Sequence, residues 1–203
     1  LSQAAQAAAR SAFPGQACSA ISRILVHRSI KNEYIERLHE TAKKMAPCLL
    51  INKSAIERME EHVRLGHKEG TLLFGGSQPQ GDEYAEGCYF LPTAIEFSDQ
   101  SSTVCQEEIF GPILSILEFD SDEEALTLAN ATDYGLIASL WTQDTQRMRY
   151  FTQRLEMGTV VVNRGSVLST RSPWGGFKQS GIGRRYGEQG LEPFFEYKTV
   201  WTP

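Results

Sequence analysis

The sequence predicts an α/β domain with a mostly parallel sheet. Between Ile113 and Asn163, apolar runs of strand length alternate with segments of helical period, the pattern of βαβ units. Within that stretch Gly158–Asn163 (GTVVVN) is apolar almost without interruption, as in a strand covered on both faces. The composition, 41% hydrophobic and 22% charged over 203 residues, supplies enough apolar side chain for a packed core.

The elements follow in chain order. Residues 2–12 are rich in Ala and Gln and read as a helix that Phe13-Pro14-Gly15 ends. Arg23–His27 (RILVH) reads as a buried strand. Tyr34, Ile35, Leu38 and Ala42 fall at helical spacing between Ile30 and Met45. A second helix starts near Ser54, the expected N-cap, with Ile56, Met59 and Val63 on one face, and stops at Gly66 or Gly70. Thr71–Phe74 is a short strand, 75–87 a polar loop, and Tyr89–Phe97 alternates as one strand. Ile113–Phe119 is a strand. Ser121-Asp122-Glu123-Glu124 opens a helix as a capping box. Leu136–Thr142 is a strand, Gln143–Leu155 a helix, 175–190 a Gly-rich segment and Glu196–Trp201 a last strand. No repeat or linker divides the chain, so one domain over 1–203 is expected.

Composition also excludes classes of function. A net charge of −5 without a Lys/Arg run argues against a nucleic-acid surface. No apolar stretch approaches the roughly 20 residues of a membrane helix. The four cysteines form no C-x-x-C pair and have no His at metal-ligand spacing, so neither zinc nor a disulfide framework is expected, and a reduced, cytoplasmic setting is.

Three segments have the residue types for chemistry. Cys18 lies in Gly15-Gln16-Ala17-Cys18-Ser19-Ala20, a turn with small neighbours that leave space around a sulfur. A nucleophile and a small packing cysteine both fit that setting. Glu107-Glu108-Ile109-Phe110-Gly111-Pro112 sets two acids and an aromatic ring before a strand. It reads as the mouth of a cofactor site, where a carboxylate accepts from ribose hydroxyls, or as a helix end and turn. In Pro173–Gly183 glycines permit close backbone approach beside Trp174 and Phe177; no phosphate-loop pattern fits, and the segment is a pocket wall or a tight turn. His39 and His62 lie among charged residues of predicted helices and are expected in solvent. None of the four histidines has an Asp pattern that would make a Cys-His hydrolase legible.

Taken together and in this order, the segments resemble the aldehyde dehydrogenase superfamily. The matching strings are GQACSAISRILVH, EEIFGPILSILEFDS, NATDYGLIASLWT, GTVVVN, PWGGFKQSGIGR and GLEPFFEYKTV, from about residue 10 to residue 201. The resemblance implies a three-layer α/β/α catalytic domain. It implies that Cys18 attacks an aldehyde carbon to give a thiohemiacetal, that hydride leaves to the nicotinamide of NAD or NADP, and that water hydrolyses the resulting thioester. Glu108 then matches the carboxylate on the nicotinamide ribose and Phe110 the ring beside the nicotinamide. Ala17, Ser19, Leu168 and Trp174 match the wall of the substrate tunnel. The family also implies a homo-oligomer, with the tail near an interface.

Two departures accompany the likeness. The family's cofactor-binding domain precedes the nucleophile and is absent from this chain, and with it the general-base glutamate and an oxyanion-hole asparagine. The chain, which lacks an initiating Met, is therefore expected to be a trimmed catalytic domain, nearly inactive alone; a non-catalytic remnant of the same fold is the alternative. The run Lys44–Leu50 stands where family members usually have a longer loop. Arg164 and Arg171 flank the pocket loop, and fit either a carboxylate-bearing aldehyde or a solvated surface.

Overall fold

A computed structural model describes residues 1–203. The Ala-rich opening forms α1 (Ser2–Ala12), with Ala4, Ala5, Ala8, Ala9 and Ala12 buried, and the small side chains let the helix lie close on its neighbours. β1 (Arg23–His27) and α2 (Lys31–Ala42) follow, and α2 buries Tyr34, Leu38 and Ala42 at four-residue intervals. After β2 (Cys48–Leu49), α3 spans Lys53–Glu69. Its N-cap is Asn52 and not Ser54: the Asn52 side-chain oxygen accepts from the Ala55 N–H and also from the Ser54 hydroxyl. Gly66 does not end the helix. It lies inside α3 because a Cβ there would come 2.5 Å from Ile95, and the helix ends at Gly70.

β3 (Thr71–Phe74) has its expected bounds. The single strand expected over 89–97 is two, β4 (Tyr89–Phe90) and β5 (Thr93–Phe97), divided at Pro92, which lacks a ladder donor. α4 (Thr103–Gln106) precedes β6 (Ile113–Phe119). α5 (Asp122–Asn130) starts at Ser121, which accepts from the Glu124 N–H; the Glu124 carboxylate reaches back to the Asp120 N–H, one residue beyond a strict capping box. β7 (Tyr134–Gly135), β8 (Ile137–Leu140), α6 (Thr145–Arg154), β9 (Thr159–Val162) and β10 (Phe177–Lys178) complete the order.

The main sheet has the order β1-β6-β5-β3. β6 pairs in parallel with β1 and β5, and only β3 runs antiparallel. Alternate residues of β6 face opposite layers. Leu114 and Ile116 join Ile24, Val26 and the buried face of α1 and α2, whereas Ile113 and Leu117 join Ile95, Phe97, Met59 and Val63 below α3. The result is the three-layer α/β/α arrangement. β8 and β9 form a separate parallel pair, and β7 and β10 an antiparallel one. No helix is long and apolar enough to cross a membrane.

Three further expectations are corrected. β9 is not sealed on both faces: only Val161 is buried, because its sheet is a two-stranded ribbon without a second strand on its other edge. The tail forms no strand; after a short 3-10 turn at Glu192–Phe194 it is exposed, with Tyr197 85% and Trp201 90% accessible, and it pairs with no strand of the chain. Neither His62 nor His39 is solvated. His62 is 6% exposed, and His39 is half-buried and stacked on Phe74 at 4.5 Å.

Candidate active site

The nucleophile turn is built in steps. α1 ends where the Phe13 N–H donates to the Ala9 carbonyl, and Pro14 prevents continuation. Gly15 then takes φ of +61°, a left-handed conformation that suits glycine. Gln16 clamps the turn to the segment after β2: its amide nitrogen donates to the Leu49 carbonyl at 2.9 Å, and its oxygen accepts from the Ile51 N–H at 3.0 Å. The Cys48 thiol donates to the Pro14 carbonyl at 3.2 Å, and burial pushes that thiol up. The short run Lys44–Leu50 thus ends directly against the turn.

Beyond the clamp, the Ala20 N–H closes on the Ala17 carbonyl at 2.9 Å, with Cys18 and Ser19 at the apex of the turn. The Ser11 hydroxyl holds the far side, reaching the Ser19 carbonyl and accepting from the Ile21 N–H. Cys18 and Ala17 are exposed and Ser19 half-buried. The Cys18 thiol makes no hydrogen bond, and its N–H donates to no group of the chain. No histidine engages it. His62 bonds Arg58 and Glu107, His27 bonds Ser29, His39 stacks on Phe74 and His67 is exposed. The imidazole that a Cys-His hydrolase requires is therefore not in place.

The acidic loop meets this turn backbone to backbone. A Cβ on Gly15 would lie 2.2 Å from the Gly111 carbonyl carbon and 2.7 Å from the Pro112 nitrogen. Ile109 fills the core below α3, while Glu108 and Phe110 remain exposed. Glu108 forms no ion pair or hydrogen bond. Phe110 has φ of +56°, unfavourable for a non-glycine residue by roughly 1 kcal/mol, and its ring is 42% exposed. Such strain is kept where surrounding contacts over-determine the backbone, often at ligand sites.

Leu168 and Trp174 belong to a different wall. Asn163, with φ of +53°, ends β9, and its side chain bonds both the N–H and the carbonyl of Thr142. The loop it opens passes over α1, where Gly165 comes within ordinary contact of Ala7. Leu168 is 60% exposed; Trp174 is half-buried and exchanges backbone hydrogen bonds with Arg185. Arg164 and Arg171 are exposed and form no ion pair. The structure thus joins the turn of Ala17, Cys18 and Ser19 to the loop of Glu108 and Phe110 through Gly15 and Gly111, and leaves Leu168 and Trp174 on a loop that passes over α1. A groove of about 400 Å³ lies elsewhere, between α1 and α2, and is lined only by polar side chains such as Glu33, Arg37 and Glu40.

The sequence reading missed Gln16, whose amide can clamp a turn only once the 48–51 segment is beside it, and His62, whose burial depends on α4 packing on α3. Gly15 followed by Gln16 was the one local sign of a constrained turn.

A sequence profile of the aldehyde dehydrogenase family matches residues 1–200. Betaine aldehyde dehydrogenase of Bacillus subtilis is 36% identical over 198 residues, which cover 92% of this chain and 40% of the relative. A crystal structure of a putative aldehyde dehydrogenase from Burkholderia cenocepacia superimposes with a TM-score of 0.95 at 35% identity, over 98% of this chain and 44% of that one. Betaine aldehyde dehydrogenase of Staphylococcus aureus, solved in complex with NAD+, gives a TM-score of 0.90 at 33% identity, over 95% of this chain and 41% of that one. The chain spans about two-fifths of the length of these proteins. The matched profile runs through the exposed cysteine, the loop of Glu108 and Phe110 and the Gly-rich wall alike, and on that ground the chain belongs to the aldehyde dehydrogenase family.

Proposed function

We propose that residues 1–203 form the catalytic domain of an NAD(P)-dependent oxidoreductase that converts an aldehyde to a carboxylic acid. The observation that supports this reading is the backbone contact of Gly15 with Gly111, which joins the turn of an exposed, unpartnered cysteine to the loop that carries an exposed carboxylate and an exposed ring. That pair fits the ribose and nicotinamide of a dinucleotide: the free carboxylate of Glu108 can accept from sugar hydroxyls, and Phe110 offers a flat apolar face. When bound, the nicotinamide supplies the hydride acceptor.

The chain's own residues do the rest of the covalent work. The Cys18 sulfur adds to the aldehyde carbon and the carbonyl oxygen gains the negative charge; the free Cys18 N–H can donate to that oxygen. After oxidation the same sulfur holds the acyl group as a thioester, which water cleaves to the acid. Ala17 and Ser19 are small enough to leave the sulfur accessible, and Leu168 and Trp174 supply apolar surface on the opposite wall. The exposed aromatic tail, Phe194 to Trp201, supports a homo-oligomer, and four free cysteines suit the cytoplasm.

An activated ester tests the cysteine without any cofactor. Incubation of the chain with 4-nitrophenyl acetate is expected to release one burst of nitrophenolate per chain and to leave an acetyl group on Cys18, located by peptide mass spectrometry. Acetyl on Cys48, Cys88 or Cys105 instead, or no burst, would overturn the proposal. No carboxylate or histidine of the chain bonds Cys18 to activate water. Turnover of aldehyde with NAD+ by the chain alone is thus expected to fall short of ordinary dehydrogenase rates by about two to four orders of magnitude.

A further inference from the structure

The loop bearing Glu108 and Phe110 is fastened from its hidden side by a histidine. Ile109 is buried below α3 and Glu107, itself exposed, reaches His62 of α3, while Glu108 and Phe110 stay exposed. The Glu107 carboxylate lies 3.2 Å from His62 Nε2. The His62 ring is 6% exposed, and its Nδ1 is 2.7 Å from the Arg58 carbonyl one turn earlier in α3.

Both ring nitrogens therefore face oxygens that, with Glu107 ionised, can only accept. A neutral imidazole has one N–H and satisfies one of them. Both contacts are hydrogen bonds together only when the pair holds one additional proton, on the ring or on the carboxyl group. Without that proton one contact is lost; with the N–H on Nδ1, where the contact to the Arg58 carbonyl is the shorter at 2.7 Å, Glu107 faces the lone pair of Nε2.

The contact matters because the loop is strained. Phe110 keeps its left-handed backbone only if both sides of it are anchored. On the C-terminal side Gly111 is wedged between Gly15 and Met59, with room for no side chain. On the N-terminal side the anchors are Ile109 in the core and Glu107 on His62. We propose that His62 is a positioning residue: the proton shared between His62 and Glu107 pins the loop to α3 and so sets where Glu108 and Phe110 are presented. The inference rests on the reading of that loop as the cofactor-contacting one. The charged groups nearest the pair are Arg58 and Glu61 on α3 and Glu108, next to Glu107 on the loop. Glu61 is taken up by Arg64, and none of the three side chains hydrogen-bonds to either partner.

A pH titration of the isotope-labelled chain by NMR, over about pH 5 to about pH 9 where imidazoles change charge, tests this. The Ile109 methyl and Phe110 amide signals are expected to move over the same interval as the His62 ring signals. Glu107→Gln, at a half-exposed carboxylate, should leave the fold intact and abolish that movement, since a Gln amide can both donate and accept; His62→Gln should abolish it as well. Loop signals that ignore the His62 titration in the unaltered chain, or follow it equally in Glu107→Gln, would overturn the proposal. The readout is independent of Cys18. A chain that fails to acylate but shows the coupled titration would remove the reading of Cys18 as nucleophile and leave the fastening in place. One that acylates without coupling would remove the role of His62.

Discussion

Cys18→Ala is expected to abolish the nitrophenolate burst and to lower ester hydrolysis by about three orders of magnitude or more, to the level of the uncatalysed reaction. Loss of a nucleophile is not recovered by neighbouring groups, and none of the other cysteines stands in its place. Burial pushes the Cys48 and Cys105 thiols up, which lowers their thiolate fraction, whereas the Cys18 sulfur is exposed and bonded to nothing. Cys88→Ala and Cys105→Ala should therefore retain the burst. Cys48→Ala should retain it too, with a looser turn, because it removes the bond to the Pro14 carbonyl. Stopped-flow absorbance on the four variants measures all of this; a burst that survives Cys18→Ala would mean that another residue carries the acyl group.

The second large effect is expected at Gly15. In Gly15→Ala the new methyl would lie 2.2 Å from the Gly111 carbonyl carbon, 2.3 Å from its oxygen and 2.7 Å from the Pro112 nitrogen. All three are backbone atoms, so no side chain can rotate to make room. The residue must also hold φ of +61° with a Cβ, which adds roughly 1 kcal/mol. A total cost of about 3 kcal/mol or more follows, lowering Tm by about 6–12 °C for a chain of this size. Since that contact joins the Cys18 turn to the Glu108 loop, binding of a dinucleotide should weaken along with stability. Gly165→Ala is the control: its methyl would meet only the Ala7 side chain, at an ordinary 3.7 Å, and should change stability by no more than about 0.5 kcal/mol. Thermal denaturation of the two variants decides; an unchanged Tm for Gly15→Ala would show that the two loops are not in contact.

Elements whose signal is local were legible. β1, β3 and β6 are short apolar runs between turn residues and have the expected bounds. The first helix ends where Phe13-Pro14-Gly15 demands. Errors arose where two local signals competed or where burial decided. Asn52 and Ser54 both suit an N-cap, and packing selects the first. Gly66 looks like a stop, yet it is the residue that lets α3 approach Ile95. The tail has a β pattern, but a strand needs an edge to pair with, and the tail lies against none of the chain's sheets.

The site divides in the same way. Cys18 was visible because a Gly-Gln turn with small flanks is written in consecutive residues, and Glu108 and Phe110 were visible because the family resemblance extends through their loop. What the chain order conceals is that these segments touch. Gly15 reaches Gly111 only because parallel pairing of β1 with β6 brings the turn before one strand beside the loop before the other. His62 becomes a buried anchor only because α4 and its following loop pack on α3. Which side chains are chemically capable is written in the residues themselves, whereas the need for glycine at Gly15 and Gly66 comes from contacts with distant segments. Tertiary structure alone decided which of them meet, since contacts between distant segments are set by sheet register and layer packing, and no local pattern encodes either.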